Sequence, residues 1–236
     1  MVKQKKNKYL GIKITKEMRD IIQGYIASDG NVSKTGILTI DQSIKQQKFV
    51  YWLYKHLSPI CKQNENELDP ANLGDIIKLV KRTDKRNGNV TYSKRFFTRS
   101  LCKGFYHMWY QSEMQVDTNG NSFISLKKKL PFNMSGFFSP TFLAVWFAGD
   151  GTKIVGSLGA KFEVTAFSPK ERLKLKNLFW QKYQIDAKIN RAGISRKGNP
   201  LWTLNINASD YPKFRTLITQ IDLIETIFPH KLHPKT

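Results

Sequence analysis

Apolar positions along this chain recur with a period near 3.6 in some stretches and near 2 in others, and the two kinds of stretch follow one another twice. Met18, Ile21, Ile22, Tyr25 and Ile26 make an i, i+3, i+4, i+7, i+8 stripe, which predicts a helix with a buried face. Thr15 can cap its start, Glu17 suits its first turn, and it stops at Asp29-Gly30. Ser139-Pro140 opens a second helix, with a capping hydroxyl and a proline where no N–H is needed. That helix runs apolar from Phe142 and stops at Asp150-Gly151, where Gly151 can supply a left-handed residue.

A similar succession follows each helix. After the first come a turn at Lys34-Thr35-Gly36, a strand over Ile37 to Ser43, and a helix carrying Phe49, Trp52, Leu53, Leu57 and Ile60 that Ser58-Pro59 should end. Lys62 to Asp69 is polar and reads as a loop. Ile76 to Arg82 and Asn89 to Phe97 alternate around a basic turn containing Asn87-Gly88, a hairpin signal. Leu101 to Met114 reads as a helix through Phe105, Met108 and Trp109. After the second motif, Lys161 to Ala166 reads as a strand, and Ser168-Pro169-Lys170-Glu171 is a capping box. Its helix runs through Leu173, Leu175, Leu178 and Phe179 to about Tyr183. Ala187 to Arg191 and Leu201 to Asn207 form a second basic hairpin, and a last helix follows Ser209-Asp210. The pattern predicts an α+β fold with antiparallel sheet: an N-terminal arm over 1–14 and two halves, 15–125 and 126–236.

The chemistry is at the ends of the two motif helices. A carboxylate at a helix C-terminus meets the negative end of the macrodipole and calls for a cation in front of it. One Asp-Gly pair is an ordinary turn signal. Two of them, each ending an apolar helix ahead of strand-like sequence, point to one site built from both.

Ile22-Gln-Gly-Tyr-Ile-Ala-Ser-Asp-Gly30 and Leu143-Ala-Val-Trp-Phe-Ala-Gly-Asp-Gly151 resemble the nine-letter signature of the LAGLIDADG homing endonucleases, in the branch where one chain carries two motifs. The final Asp-Gly is kept in both. The sixth letter, usually acidic, is Ala27 and Ala148; the third is Gly24 and then Val145, which makes one side of the helix contact bulkier. The resemblance spans about Thr15 to Leu232 and implies pseudo-twofold αββαββα halves with the motif helices at the centre. It implies double-strand cleavage of a long, non-palindromic DNA target across the minor groove, leaving 3′ overhangs, with Mg2+ or Mn2+ held at Asp29, Asp150 and the adjoining Ser28 and Gly149. Lys128, within Lys127-Lys128-Lys129, and Lys231 match the lysines such proteins carry before the second motif and near the C-terminus. Gln42 matches a polar position beside the metal water, with Thr165 its approximate counterpart. Two other readings stay open: an RNA maturase bound to its host intron, and a DNA-binding protein without catalysis.

Composition sharpens the choice of partner. The 236 residues carry 39 Lys and Arg against 18 Asp and Glu, a formal charge of +21, which suits a polyanion. There is no run of eighteen apolar residues, and the basic residues are not gathered on one amphipathic helix, so double-stranded DNA is preferred to a membrane. A two-stranded ribbon fits the major groove. The candidates to meet DNA are Lys34, Lys81, Arg82, Lys85, Arg86, Lys94, Lys153, Lys161, Lys188, Arg191, Arg196 and Lys197; each alone is equally a phosphate contact or a solvated side chain. Cys61 and Cys102 are too few for a disulfide framework and not spaced as a zinc site, so a reducing, intracellular compartment is expected, organelles included. The basic start, Lys3 to Lys8, lacks the apolar core of a secretory signal. A monomer is expected, since one chain holds both motifs.

Overall fold

The computed structural model describes residues 11–61, 76–84, 86–116, 119–196 and 198–233. The predicted loop over 62–69, Lys85, Lys197 and the first ten residues lie outside the described residues. The first half runs α1 (Lys16–Ala27), β1 (Asn31–Val32), β2 (Leu38–Ser43), α2 (Gln47–Leu57), β3 (Lys78–Thr83), β4 (Val90–Phe97) and α3 (Lys103–Trp109). β5 (Tyr110–Val116) and β6 (Ser122–Lys128) then form a separate hairpin. The second half is α4 (Pro140–Asp150), β7 (Gly151–Lys153), β8 (Ala160–Glu163), α5 (Pro169–Tyr183), β9 (Ala187–Ile194), β10 (Pro200–Ile206), α6 (Tyr211–Ile218) and α7 (Ile224–Ile227), closed by a 3-10 turn over Pro229–Lys231. The two larger sheets have matching antiparallel orders, β1-β2-β4-β3 and β7-β8-β10-β9.

The caps form as the sequence predicts. Thr15 accepts the Met18 amide at 3.1 Å, and Ser139 accepts that of Phe142 at 3.2 Å. Ser168 and Glu171 complete the capping box, and each such cap is worth about 1 kcal/mol. Glu171 also accepts the Leu130 amide at 2.7 Å, pinning the segment that leaves β6. α1 is buried beyond its stripe, including Asp20, Gln23 and Gly24, and α4 is buried continuously from Phe142 to Ala148. Helices covered on several sides lose the one-faced pattern.

Three expectations need correction. The helix expected over Leu101 to Met114 stops at Trp109, and Tyr110 is already extended. Residues 110–116 instead satisfy their backbone by pairing with 122–128, and Gly120 takes the positive φ of +84° that the intervening loop needs. Leu173 lies off the buried stripe of α5, which is Arg172, Leu175, Leu178 and Phe179, and is 52% exposed. Gly151 is not left-handed: its φ of −85° and ψ of 150° start β7 directly. A glycine is required there because a Cβ would stand 2.0 Å from the Phe147 ring.

Candidate active site

The site begins with a close crossing of α1 and α4. A Cβ on Gly24 would lie 2.6 Å from the Phe142 carbonyl oxygen and 2.9 Å from Cβ of Val145. The missing side chain on α1 thus makes room for the bulkier third letter on α4. At the C-terminal ends the contact is as tight: a Cβ on Gly149 would meet Ser28 Oγ at 2.4 Å and Asp29 Oδ2 at 3.1 Å. Asp29, exposed, and Asp150, half-buried, are thereby brought to one place.

Cations do stand at these helix ends, delivered from far along the chain. Lys128 Nζ donates to the carbonyls of Ile26 at 2.6 Å and Ser28 at 2.8 Å. Lys231 Nζ donates to those of Phe147 at 3.2 Å, Ala148 at 2.7 Å and Gly149 at 3.0 Å. Each ammonium caps carbonyls of the last helical turn, Phe147 among them also accepting the Gly151 amide, and sits at the negative end of the dipole. Lys127 instead pairs with Glu113 at 3.4 Å, so Lys128 is the residue of the triplet aimed at the motif. The backbone oxygens of Ser28 and Gly149 are the ones these ammonium groups occupy.

Burial, with the charge of Asp29, pushes the Asp150 carboxyl up to about 7; Glu163 adds to the rise, and Lys128 and Lys231 oppose it. Burial also lowers Lys128, and lowers Lys231 to about 8, in both cases against the pull of Asp150 and Asp29. Two crowded carboxylates of which one resists ionising form a donor set that a divalent cation would relieve. Among the described residues no group of three or more His, Cys, Asp and Glu could hold a metal. A cation here would have oxygen from two aspartates, water and substrate phosphate, which suits magnesium or manganese.

The two halves differ beside the aspartates. Gln42 Nε2 donates to Asp29 Oδ2 at 3.0 Å and to the Tyr25 hydroxyl at 3.2 Å, which also accepts the Asp41 amide at 3.2 Å. Burial pushes the Tyr25 hydroxyl well above its ordinary value, so it stays protonated. With Asp29 and Asp150 superposed, Asn31 pairs with Thr39 as Thr152 pairs with Lys161. Counting onward, Gln42 corresponds to buried Val164, and not to the predicted Thr165. Thr165 instead closes the sheet, its Oγ1 accepting the Trp202 amide at 2.7 Å. Trp146 stands where Tyr25 does. Tyr25 was hidden in the sequence because it also belongs to the apolar stripe.

The LAGLIDADG DNA endonuclease family profile matches residues 19–214. The chain belongs to this family. The structure of the homing endonuclease I-WcaI bound to its DNA recognition sequence superposes with a TM-score of 0.69 at 15% identity, covering 94% of this chain and 89% of that one. A solved mesophilic variant of the homing endonuclease I-DmoI is also similar, at 15% identity and a TM-score of 0.49 over 89% of this chain and 99% of that one. Among curated proteins, the cytochrome b mRNA maturase bI2 of Saccharomyces cerevisiae is 24% identical over 178 residues, 72% of this chain. The chain spans 38% of that relative's length.

On this LAGLIDADG chain, pairing and strand alternation sort the basic candidates by face. In the first half Asp41, Arg95, Lys78 and Arg82 share the open face, away from the helices. Arg82 and Arg95 both bond Asp41 Oδ2. Lys81 and Lys94 fall on the other face, with Gln42. In the second half Lys161, Lys188, Asn190 and Asn205 share the open face. Lys153 pairs with Ala160, and Arg191 with Trp202, whose ring packs 4.4 Å from the Arg172 guanidinium of α5, so both project to the helix side. Lys34, Arg86 and Arg196 are exposed in turns, with Arg86 forked onto Asp84 at 3.1 and 2.9 Å. Asp41, Lys78, Arg95, Asn190 and Asn205 are not among the sequence-based candidates; for Asp41 the i, i+2 spacing with Thr39 and Ser43 is the available signal.

Proposed function

We propose that the protein is a site-specific endonuclease that cuts both strands of a long, non-palindromic DNA target, with a divalent cation, Mg2+ or Mn2+, held by Asp29 and Asp150. The observation that carries this reading is the meeting of two carboxylates at paired helix C-termini, each end held by its own lysine. When bound, the divalent ion supplies an acidified water and charge stabilisation at the phosphate. Gln42 fixes the rotamer of Asp29 and leaves its second oxygen free for that ion. Lys128 and Lys231 fix the helix ends and place positive charge beside the scissile phosphates. The open sheet faces lie along the duplex, one per half-site, and the cut falls across the minor groove with 3′ overhangs. The enzyme acts as a monomer in a reducing, intracellular compartment, mitochondria and chloroplasts among the candidates.

A supercoiled plasmid library with random inserts, incubated with Mg2+ or with EDTA, tests this directly. Linear product is expected with Mg2+ alone, and Asp29→Asn or Asp150→Asn should abolish it while specific binding persists. Unchanged cleavage by either variant would sink the assignment, and loss of binding would recast the aspartates as interface residues. The yeast relative favours a second reading, an intron RNA maturase. Under that reading the protein binds its intron transcript, cuts no DNA, and tolerates both Asn substitutions.

A further inference from the structure

We infer that residues 228–233 form a strap that positions Lys231, and that Tyr211 and Arg215 of α6 are the positioning residues that hold it, so that cutting of one DNA strand depends on them. This rests on the endonuclease reading above. The strap is fastened on both sides of the lysine. Upstream, Phe228 is buried and packs edge-on to Phe49 of α2, ring centres 5.3 Å apart, and its carbonyl accepts the Lys231 amide at 2.9 Å. Downstream, Leu232 is buried, and the His233 amide donates to the Tyr211 hydroxyl at 2.9 Å. Arg215 donates to the His233 carbonyl and pairs with Glu225 of α7 at 3.4 Å. The His233 ring Nε2 lies 2.9 Å from the Gly159 carbonyl, in the turn between β7 and β8.

Lys128 reaches its own helix end by another device, from a strand paired along its length with β5. The same ammonium-to-carbonyl contact is therefore held by a ladder in one half and by a tail in the other. A long ammonium side chain keeps one geometry only if its backbone is fixed, since holding it there freezes several rotatable bonds. In a pseudo-twofold site each lysine serves one strand, so loosening the tail should slow one cut and spare the other.

The test is single-turnover cleavage of a target duplex labelled separately on each strand, with nicked and linear plasmid followed in parallel. Arg215→Ala and Tyr211→Phe should slow one strand at least tenfold, leave the other within about twofold, and make nicked circles accumulate. Lys231→Ala must slow the same strand, and Lys128→Ala the opposite one. Arg215→Lys should recover part of the loss. Affinity for the target and a cooperative melt, measured on each variant, separate positioning from failure to fold. Equal slowing of both strands, no slowing, or slowing of the strand that depends on Lys128 would overturn the strap. If the wild-type protein cuts neither strand, the endonuclease reading itself fails and the strap's role in cutting with it.

Discussion

At the scale of single residues, Asp150 bears the electrostatic cost of the site. Its folded-state pKa of about 7 lies above the ordinary carboxylate value of about 3.9. Between those values the folded state binds the proton that the unfolded chain has released, so folding stability falls as pH rises from about 4 to 7 and then levels. Asp150→Asn should therefore melt higher than wild type at pH 8 without divalent ion, by roughly 2–4 °C for each kcal/mol recovered. The gap should close as pH falls from 7 towards 4. Mg2+ at pH 8 should raise the wild-type melting temperature and leave the variant nearly unchanged. Scanning calorimetry across that pH range checks both; a variant less stable than wild type at pH 8 would contradict the picture of two crowded carboxylates.

At the scale of elements, the crossing of α1 on α4 decides whether the aspartates meet. Gly24→Ala puts a methyl 2.6 Å from a backbone oxygen that cannot swing away, and such overpacking costs about 1–3 kcal/mol. Cleavage should fall further than DNA binding, because a separation at the crossing is felt directly at the helix ends. Gly104 in α3 is the control: a methyl there meets nothing within 4 Å, and alanine should stabilise by up to about 1 kcal/mol through helix propensity. Urea unfolding of the two variants, with opposite signs expected, decides the matter. The hairpin of β5 and β6 shows why local pattern is incomplete. Its Asn119-Gly120 turn was in the sequence, but a helical stripe starting at Leu101 competes for the same residues until pairing chooses between them.

At the scale of the whole molecule, the proposed docking has the two open faces read opposite half-sites. Arg82→Ala and Lys188→Ala should alter preference or affinity at opposite ends of the target. A lost bidentate base contact costs about 1–3 kcal/mol at one position, and a lost phosphate contact reduces the salt slope by about one on all sequences. Lys81→Ala, one residue along but on the helix side, should do less than Arg82→Ala. Binding to single-base variants at two salt concentrations checks this, and both open-face substitutions acting on one half-site would contradict the docking. What the sequence by itself determined is the local physics. The capped helices, the hairpin at Asn87-Gly88, the repeated Asp-Gly ends and the α+β halves follow from periodicity and turn chemistry, and these act between near neighbours. Only the tertiary structure decided which lysine of the triplet reaches α1, that Gly24 absorbs Val145, that Val164 takes the position Gln42 holds in the first half, and that a strap carries Lys231. Each of those contacts joins residues remote in sequence, and strand register, where one step turns a side chain to the other face, is set by the packing of both partners.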